Sequence, residues 1–230
     1  MRLYDLSGNL IHQLEGASAS FSPDGQYLVT FPYDYVSDEP MRLYDLSGNL
    51  IHRLEGRYAS FSPDNQYLVT PRSSNDESLL YDLSGNLIQQ LEGTSASFSP
   101  DSQYLVTYSY SSDEPVRLYD RSGTLIQQLE GRSASFSPDG DWLLISLEEG
   151  ISQIYDTHTG SLLAEFPGSD PVLSNDESLL LTKLDDISYR LWRVDNGLDD
   201  LLAWGCNWLE SYFTNYPEER LEVCKAGAGN

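Results

Sequence analysis

The chain has 230 residues, 40% of them apolar, enough for the core of one large all-β domain or two small ones. It carries 36 acidic and 13 basic residues, a formal net charge of -23, and Lys183 is the only lysine before residue 225. That balance excludes the clustered Lys and Arg of a phosphate-tracking face, and with it nucleic acid and an anionic membrane surface as partners; it favours attraction of cationic partners.

The N-terminus, MRLYDLSGNL, lacks the basic and apolar regions of a secretory signal. No run approaches the ~18 apolar residues of a membrane span. Two cysteines, Cys206 and Cys224, do not make a disulfide framework. These features predict a soluble, cytoplasmic protein with no cofactor.

The chain is a tandem repeat, and two markers set its period. Tyrosine-aspartate pairs end at Asp5, Asp45, Asp82, Asp120 and Asp156, spaced 40, 37, 38 and 36 residues apart, and Arg193 of a related LWR run stands 37 further on. Ser22-Pro23-Asp24, Ser62-Pro63-Asp64, Ser99-Pro100-Asp101, Ser137-Pro138-Asp139 and a worn copy, Ser174-Asn175-Asp176, keep the same register. Each copy from Leu14, Leu54, Leu91 and Leu129 begins Leu-Glu-Gly.

Within residues 17–56 four short runs read as strands. Ala17 to Phe21 is strand a, and Ser22 to Gly25 is a turn in which Pro presets φ and Gly supplies the permissive end. Gln26 to Phe31 is strand b, rich in Tyr, Val and Thr. A variable Pro, Ser and Asp stretch follows. Met41 to Leu46 is strand c, Ser47-Gly48-Asn49 is a hairpin turn, and Leu50 to Leu54 is strand d. The same pattern across the chain predicts five a, five b, six c and five d strands, and the first strand met is a c. Period-2 signals stop at Val194. Beyond Asn196, LDDLLAWGCNWLESYF places Leu198, Leu201, Leu202, Gly205, Trp208, Leu209 and Tyr212 on one helical face, with Asp199 and Asp200 at its N-terminal end. This predicts an amphipathic helix in a C-terminal cap over 198–230, after a repeat domain over 1–197.

The order Ser-Phe-Ser-Pro-Asp-Gly, apolar strand, Arg-Leu-Tyr-Asp, Leu-Glu-Gly resembles WD40 repeats over residues 1 to about 197. The resemblance implies an all-β, WD40-like β-propeller of about five four-stranded blades, incomplete or open at its ends, with the α-helical cap behind it. Two departures stand out. The Trp-Asp pair appears as Tyr4-Asp5, Tyr44-Asp45, Tyr81-Asp82, Tyr119-Asp120 and Tyr155-Asp156, with Trp192 alone keeping the Trp. The family's Gly-His before strand a is absent, so its His-based hydrogen-bond network cannot form, and the blades are expected to lean on Phe21, Phe61, Phe98 and Phe136. Twenty-one strands exceed five blades by one. Three arrangements fit: a five-bladed ring, its last blade begun at Pro171 and completed by the N-terminal c–d hairpin; an open arc whose free strand edge invites self-association; or a piece of a longer frame.

The resemblance also implies that the b–c and d–a connections share one face. An acidic pair recurs in the b–c connections: Asp38-Glu39, Asp76-Glu77, Asp113-Glu114, Glu148-Glu149 and Asp185-Asp186. Tyr33, Tyr35, Tyr108 and Tyr110 lie in the same stretches and supply amphipathic anchors. Together they form a candidate docking face for a basic peptide or protein, against the plainer reading of a solvated rim. No calcium-loop pattern occurs, and His12, His52 and His158 have no ligand-spaced partners, so no metal is expected. No G-x-S-x-G run is present, and Ser20, Ser60, Ser97 and Ser135 read as core-strand residues. The aspartates at Asp5 and its equivalents read as turn-stabilising acceptors. A non-catalytic protein–protein interaction scaffold is the expectation. The alternatives are a hydrolase with its site at the propeller channel and a detached sensor or assembly unit of a larger signalling protein.

Overall fold

In the computed structural model the described residues are 1–32, 39–56, 58–72, 76–109, 114–194, Leu209 and Thr214. They are all-β, and Thr214 is the one helical residue among them. The predicted helix and Cys206 and Cys224 lie outside the described residues, apart from Leu209. The chain divides into two compact units, Met1–Gly140 and Asp141–Asn230.

The first unit opens on a hairpin of β1 (Arg2–Tyr4) and β2 (Leu10–Gln13). Three four-stranded antiparallel sheets follow, each in sequence order. They are β3 (Ser18–Phe21), β4 (Tyr27–Phe31), β5 (Met41–Asp45) and β6 (Leu50–Leu54); β7 (Ser60–Phe61), β8 (Tyr67–Arg72), β9 (Glu77–Asp82) and β10 (Leu87–Glu92); and β11 (Ser95–Phe98), β12 (Tyr104–Tyr108), β13 (Val116–Asp120) and β14 (Leu125–Leu129). Strand β15 (Ser133–Phe136) ends this unit. The second unit holds β16 (Trp142–Ser146), β17 (Ile151–Asp156) and β18 (Leu162–Pro167), paired antiparallel in that order. A three-stranded sheet of β19 (Ser169–Leu173), β20 (Leu179–Lys183) and β21 (Tyr189–Arg193) completes it. These are the twenty-one predicted strands, in the predicted order and within one or two residues of the predicted bounds where those were drawn.

Two turn chemistries cut the strands. In the a–b turns the serine hydroxyl donates to the aspartate two residues on, at 2.6 Å for Ser22, Ser62, Ser99 and Ser174 and 2.7 Å for Ser137. The same serine oxygen accepts the first b-strand amide at 2.9 Å from Tyr27, Tyr67 and Tyr104. In the c–d turns an aspartate carboxylate gathers the donors of its own turn. Asp45 accepts from the Asn49 amide and the Asn49 side chain at 2.8 Å each, and Asp5 and Asp82 repeat this with Asn9 and Asn86. These bonds, the Asn49 side chain first and then its main chain, hold the Asp45 carboxyl below the usual range. The turn-acceptor reading of these aspartates is met by this geometry. Each c–d pair then shifts register beside the c-strand tyrosine, as at Leu43/Tyr44 and Leu118/Tyr119, a bulge that leaves Ile51 and Ile126 without an opposite residue.

The apolar cores lie between repeats. Val29, Met41, Leu43 and Leu54 of one sheet bury against Leu68, Leu79 and Tyr81 of the next. Val69, Leu80 and Leu91 bury in turn against Ala96, Leu105 and Tyr119. In the second unit Leu144, Ile154 and Phe166 meet Leu180, Trp192 and Val194, with the Phe166 and Trp192 rings 5.5 Å apart. The near-continuous burial of the b and c strands follows, since both faces of each are covered, whereas the d strands are mostly exposed and bury chiefly the leucine near their end. Each sheet therefore depends on its neighbour, the nearest-neighbour logic of repeat folds.

Two expectations fail here. The phenylalanines of strand a are not the mainstay of packing: Phe21 is 51% exposed and Phe61, Phe98 and Phe136 are only half-buried. The serines Ser20 and Ser135 are exposed, and Ser60 and Ser97 half-buried; in β3 every residue is exposed, so burial on strand a follows what covers the strand and not its alternation.

Candidate functional site

The Leu-Glu-Gly linkers and the b–c connections meet at one end of the first unit's sheets, and three parts hold that end together. The first is a relay. Thr70 and Thr107 on the b strands donate to the linker carbonyls of Glu55 and Glu92 at 2.6 and 2.5 Å, and within the second unit, by itself, Thr182 donates likewise to the Pro167 carbonyl at 2.8 Å. Trp192 Nε1 donates to Thr182 Oγ1 at 3.0 Å. Tyr81 and Tyr119 take the place of that indole. Burial raises both phenols above their ordinary pKa, against the lowering by their hydrogen bonds with the threonine and with the main chain of Glu55 or Glu92. A tyrosine–threonine–carbonyl relay thus stands where the His-based network was expected to leave only packing. Thr30, the first copy, is buried with its hydroxyl unpartnered.

The second part is glycine. Gly56 and Gly93 turn at φ of 127° and 118°, and a side chain on either would fall 2.9 Å from the threonine beneath. That close approach explains the Leu-Glu-Gly signature without any ligand.

The third part is an ion pair across the first three linkers. Glu15, Glu55 and Glu92 pair with Arg42, Arg72 and Arg117 at 2.8, 3.0 and 2.5 Å. Arg42 and Arg117 are almost wholly buried. In the second repeat Leu79 occupies the arginine's place, and Arg72 at the end of β8 reaches the linker glutamate instead, while the neighbouring Ser78 donates to the Gly93 carbonyl at 2.8 Å. The linker glutamates were missed in the sequence, although their recurrence at every Leu-Glu-Gly was the available signal.

The predicted docking residues fall as follows. Tyr33, Tyr35, Asp38, Tyr110 and Asp113 lie outside the described residues. Glu114 sits 2.8 Å from Arg117 and joins Glu92 on one guanidinium, so the structure brings a b–c and a linker carboxylate together. Asp76 turns at φ 52°, and its carbonyl accepts the Gly93 amide at 2.7 Å. Glu77 opens β9 opposite Glu92, and Tyr108 is half-buried at the end of β12. Glu39 precedes β5. In this unit the described carboxylates at this end outnumber the arginines that meet them. In the second unit Glu148 and Glu149 are exposed in a turn. Asp185 accepts from the Ile187 and Ser188 amides at 3.0 and 2.8 Å, and Ile187's amide foremost lowers its pKa. Asp186 lies 3.9 Å from Lys183. Tyr58, exposed in a d–a connection and 3.5 Å from Ser95 Oγ, joins this end unforeseen.

Beside the Arg117–Glu92 pair a groove of about 390 Å³ runs between β10 and the β13–β14 hairpin, lined also by Gln89, Gln90, Gln128 and Ser122. Its neutral amides and hydroxyls carry no nucleophile–base arrangement. Among the described residues no group of three His, Cys, Asp or Glu could hold a metal ion, and no helix is long and apolar enough to cross a membrane. His12 and His52 lie on d strands, as read, with His12 half-buried and His52 exposed, and their side chains also pass close to Gly48 and Gly85 of the next repeat. Neither a protein-family model nor a curated protein sequence matches the chain.

Proposed function

We propose that this chain is a WD40-like propeller scaffold that binds a basic peptide or protein at the end formed by its b–c connections and Leu-Glu-Gly linkers. In this reading the sheets are blades, segment 198–230 caps the last of them, and the protein is non-catalytic and cytoplasmic. The observation that carries it is the local charge balance in the first unit. Arg42, Arg72 and Arg117 are each occupied by a linker glutamate, so Glu39, Asp76 and Glu77 remain as carboxylates for an incoming cation. The relay and the glycines fix the linkers, so those charges are presented on a rigid frame, and long-range attraction speeds encounter.

The test is fluorescence anisotropy of a labelled Lys/Arg-rich peptide with the full chain across a salt series. Replacing Asp38, Glu39, Asp76, Glu77 and Asp113 by their amides, while leaving the Glu114 partner of buried Arg117 intact, should weaken binding at least ~10-fold at low salt and flatten the salt dependence. Equal affinity in both proteins, with unchanged circular dichroism, defeats the proposal.

A further inference from the structure

Successive side chains of a strand point to opposite faces, so a groove that touches two sequence neighbours reaches that strand's edge. The groove beside β10 is lined by both Gln89 and Gln90, and by Glu92 beyond them. β10 stands at the end of its sheet and pairs with β9 alone, so the main-chain N–H and C=O groups along its other side have no strand partner. The facing wall is the β13–β14 hairpin, with Gln128 cross-strand from Arg117 and with Ser122 and Thr124 at the turn. Among the described residues the side-chain amides of Gln89, Gln90 and Gln128 have no hydrogen-bond partner.

At this junction the repeat drops its ionisable groups. The d-strand pair is His12-Gln13 and His52-Arg53 in the first two copies and Gln89-Gln90 in the third. The turn asparagines Asn49 and Asn86 give their amides to Asp45 and Asp82, whereas Thr124 holds that position here and shares a hydrogen bond of 2.9 Å with Ser122. The charges that remain at the groove, Arg117 and Glu92, are paired with each other. Its volume of about 390 Å³ falls within the range of ligand sites, roughly 300–1,000 Å³.

We propose that the groove takes an extended, uncharged peptide segment, rich in Asn, Gln, Ser or Thr, that adds as a strand to the free edge of β10. The edge offers alternating donors and acceptors that the main chain of an extended peptide matches, and each free glutamine amide both donates and accepts, as do the amide and hydroxyl side chains of such a segment. An acidic segment meets a chain of net charge -23, and a basic one finds Glu92 already occupied. The affinity of an uncharged ligand is insensitive to salt, unlike that of a basic partner at the acidic end.

An array of capped hexapeptides built from Asn, Gln, Ser, Thr and Val, probed with the labelled full chain at low and high salt, tests the proposal. A subset should bind, equally at both salts. In the best binder, N-methylation of every second amide should abolish binding in one of the two registers and spare it in the other, because one set of amides faces β10. The double variant Gln90→Ala, Gln128→Ala, at exposed side chains, should lower affinity about tenfold with an unchanged melting midpoint. The absence of any bound peptide overturns the proposal, even where a neutral oligosaccharide binds in its place. So does a binder whose two methylated registers behave alike, or one whose affinity the double variant leaves intact.

Discussion

The threonine relay makes a quantitative prediction with its own control in the same protein. Thr107 and Thr30 occupy the same b-strand position in different repeats, and both are fully buried. Thr107 Oγ1 donates to the Glu92 carbonyl at 2.5 Å and is hydrogen-bonded to Tyr119, while Thr30 Oγ1 has no partner. Thr107→Val keeps the shape and strips the hydroxyl, leaving a buried carbonyl and a buried phenol each short of one bond; the expected loss is about 1–3 kcal/mol. Thr30→Val removes a desolvated, unpaired hydroxyl and should be neutral or stabilise by up to about 1 kcal/mol. Urea unfolding should be followed by far-ultraviolet circular dichroism, because Trp142, Trp192, Trp204 and Trp208 all lie beyond residue 140 and their fluorescence does not report on this unit directly. Equal losses in the two variants would refute the relay and assign the effect to the strand preference of the residue alone.

Two further outcomes follow. Asn65 turns at φ 57° and its side-chain oxygen accepts the Asp24 amide of the preceding repeat at 3.1 Å, so Asn65→Ala should lose about 1–2 kcal/mol, while Asn65→Gly should stay within about 0.5 kcal/mol of the parent because backbone relief offsets the lost bond; equal destabilisation by both in urea titrations counts against that balance. The hydrogen-bonded Asp45 carboxyl has a depressed pKa, so the stability it contributes is present above the unfolded-state value of about 3.9 and is lost as pH falls through the lower folded one; melting midpoints from pH 7 down to 3 should therefore fall less steeply in the acid range for Asp45→Asn than for the parent, and parallel acid limbs would exclude the effect.

The repeat unit was legible because its punctuation is local. Ser-Pro-Asp-Gly and Asp-x-Ser-Gly-Asn close turns within four or five residues, so the strands between them were drawn to within a residue or two. What escaped was contact between repeats. The pairing of Glu55 with Arg72, the seating of His52 on Gly85 and the bond from Asp64's amide to Ser102 join residues from neighbouring copies or from opposite ends of a sheet. No periodicity within one copy encodes them. The same cause misled the reading of Phe21 and Ser20: alternation marked them as strand residues, yet burial depends on what the adjacent sheet covers. For the candidate site, the recurring acidic pairs were visible, but the division of labour among them was not. Glu114 neutralises a buried arginine and Asp185 caps a turn, roles set by partners that sequence spacing does not reveal.

Because the apolar layers lie between repeats and not inside them, the junction of copies one and two is chemically almost the junction of copies two and three. A recombination event that drops or duplicates one whole copy in register would regenerate a junction with most of its apolar side chains matched. The near-identity of SFSPDGQYLVT, SFSPDNQYLVT and SFSPDSQYLVT supplies the long matching stretches on which such misalignment depends. The architecture therefore makes copy number an inexpensive variable for natural populations.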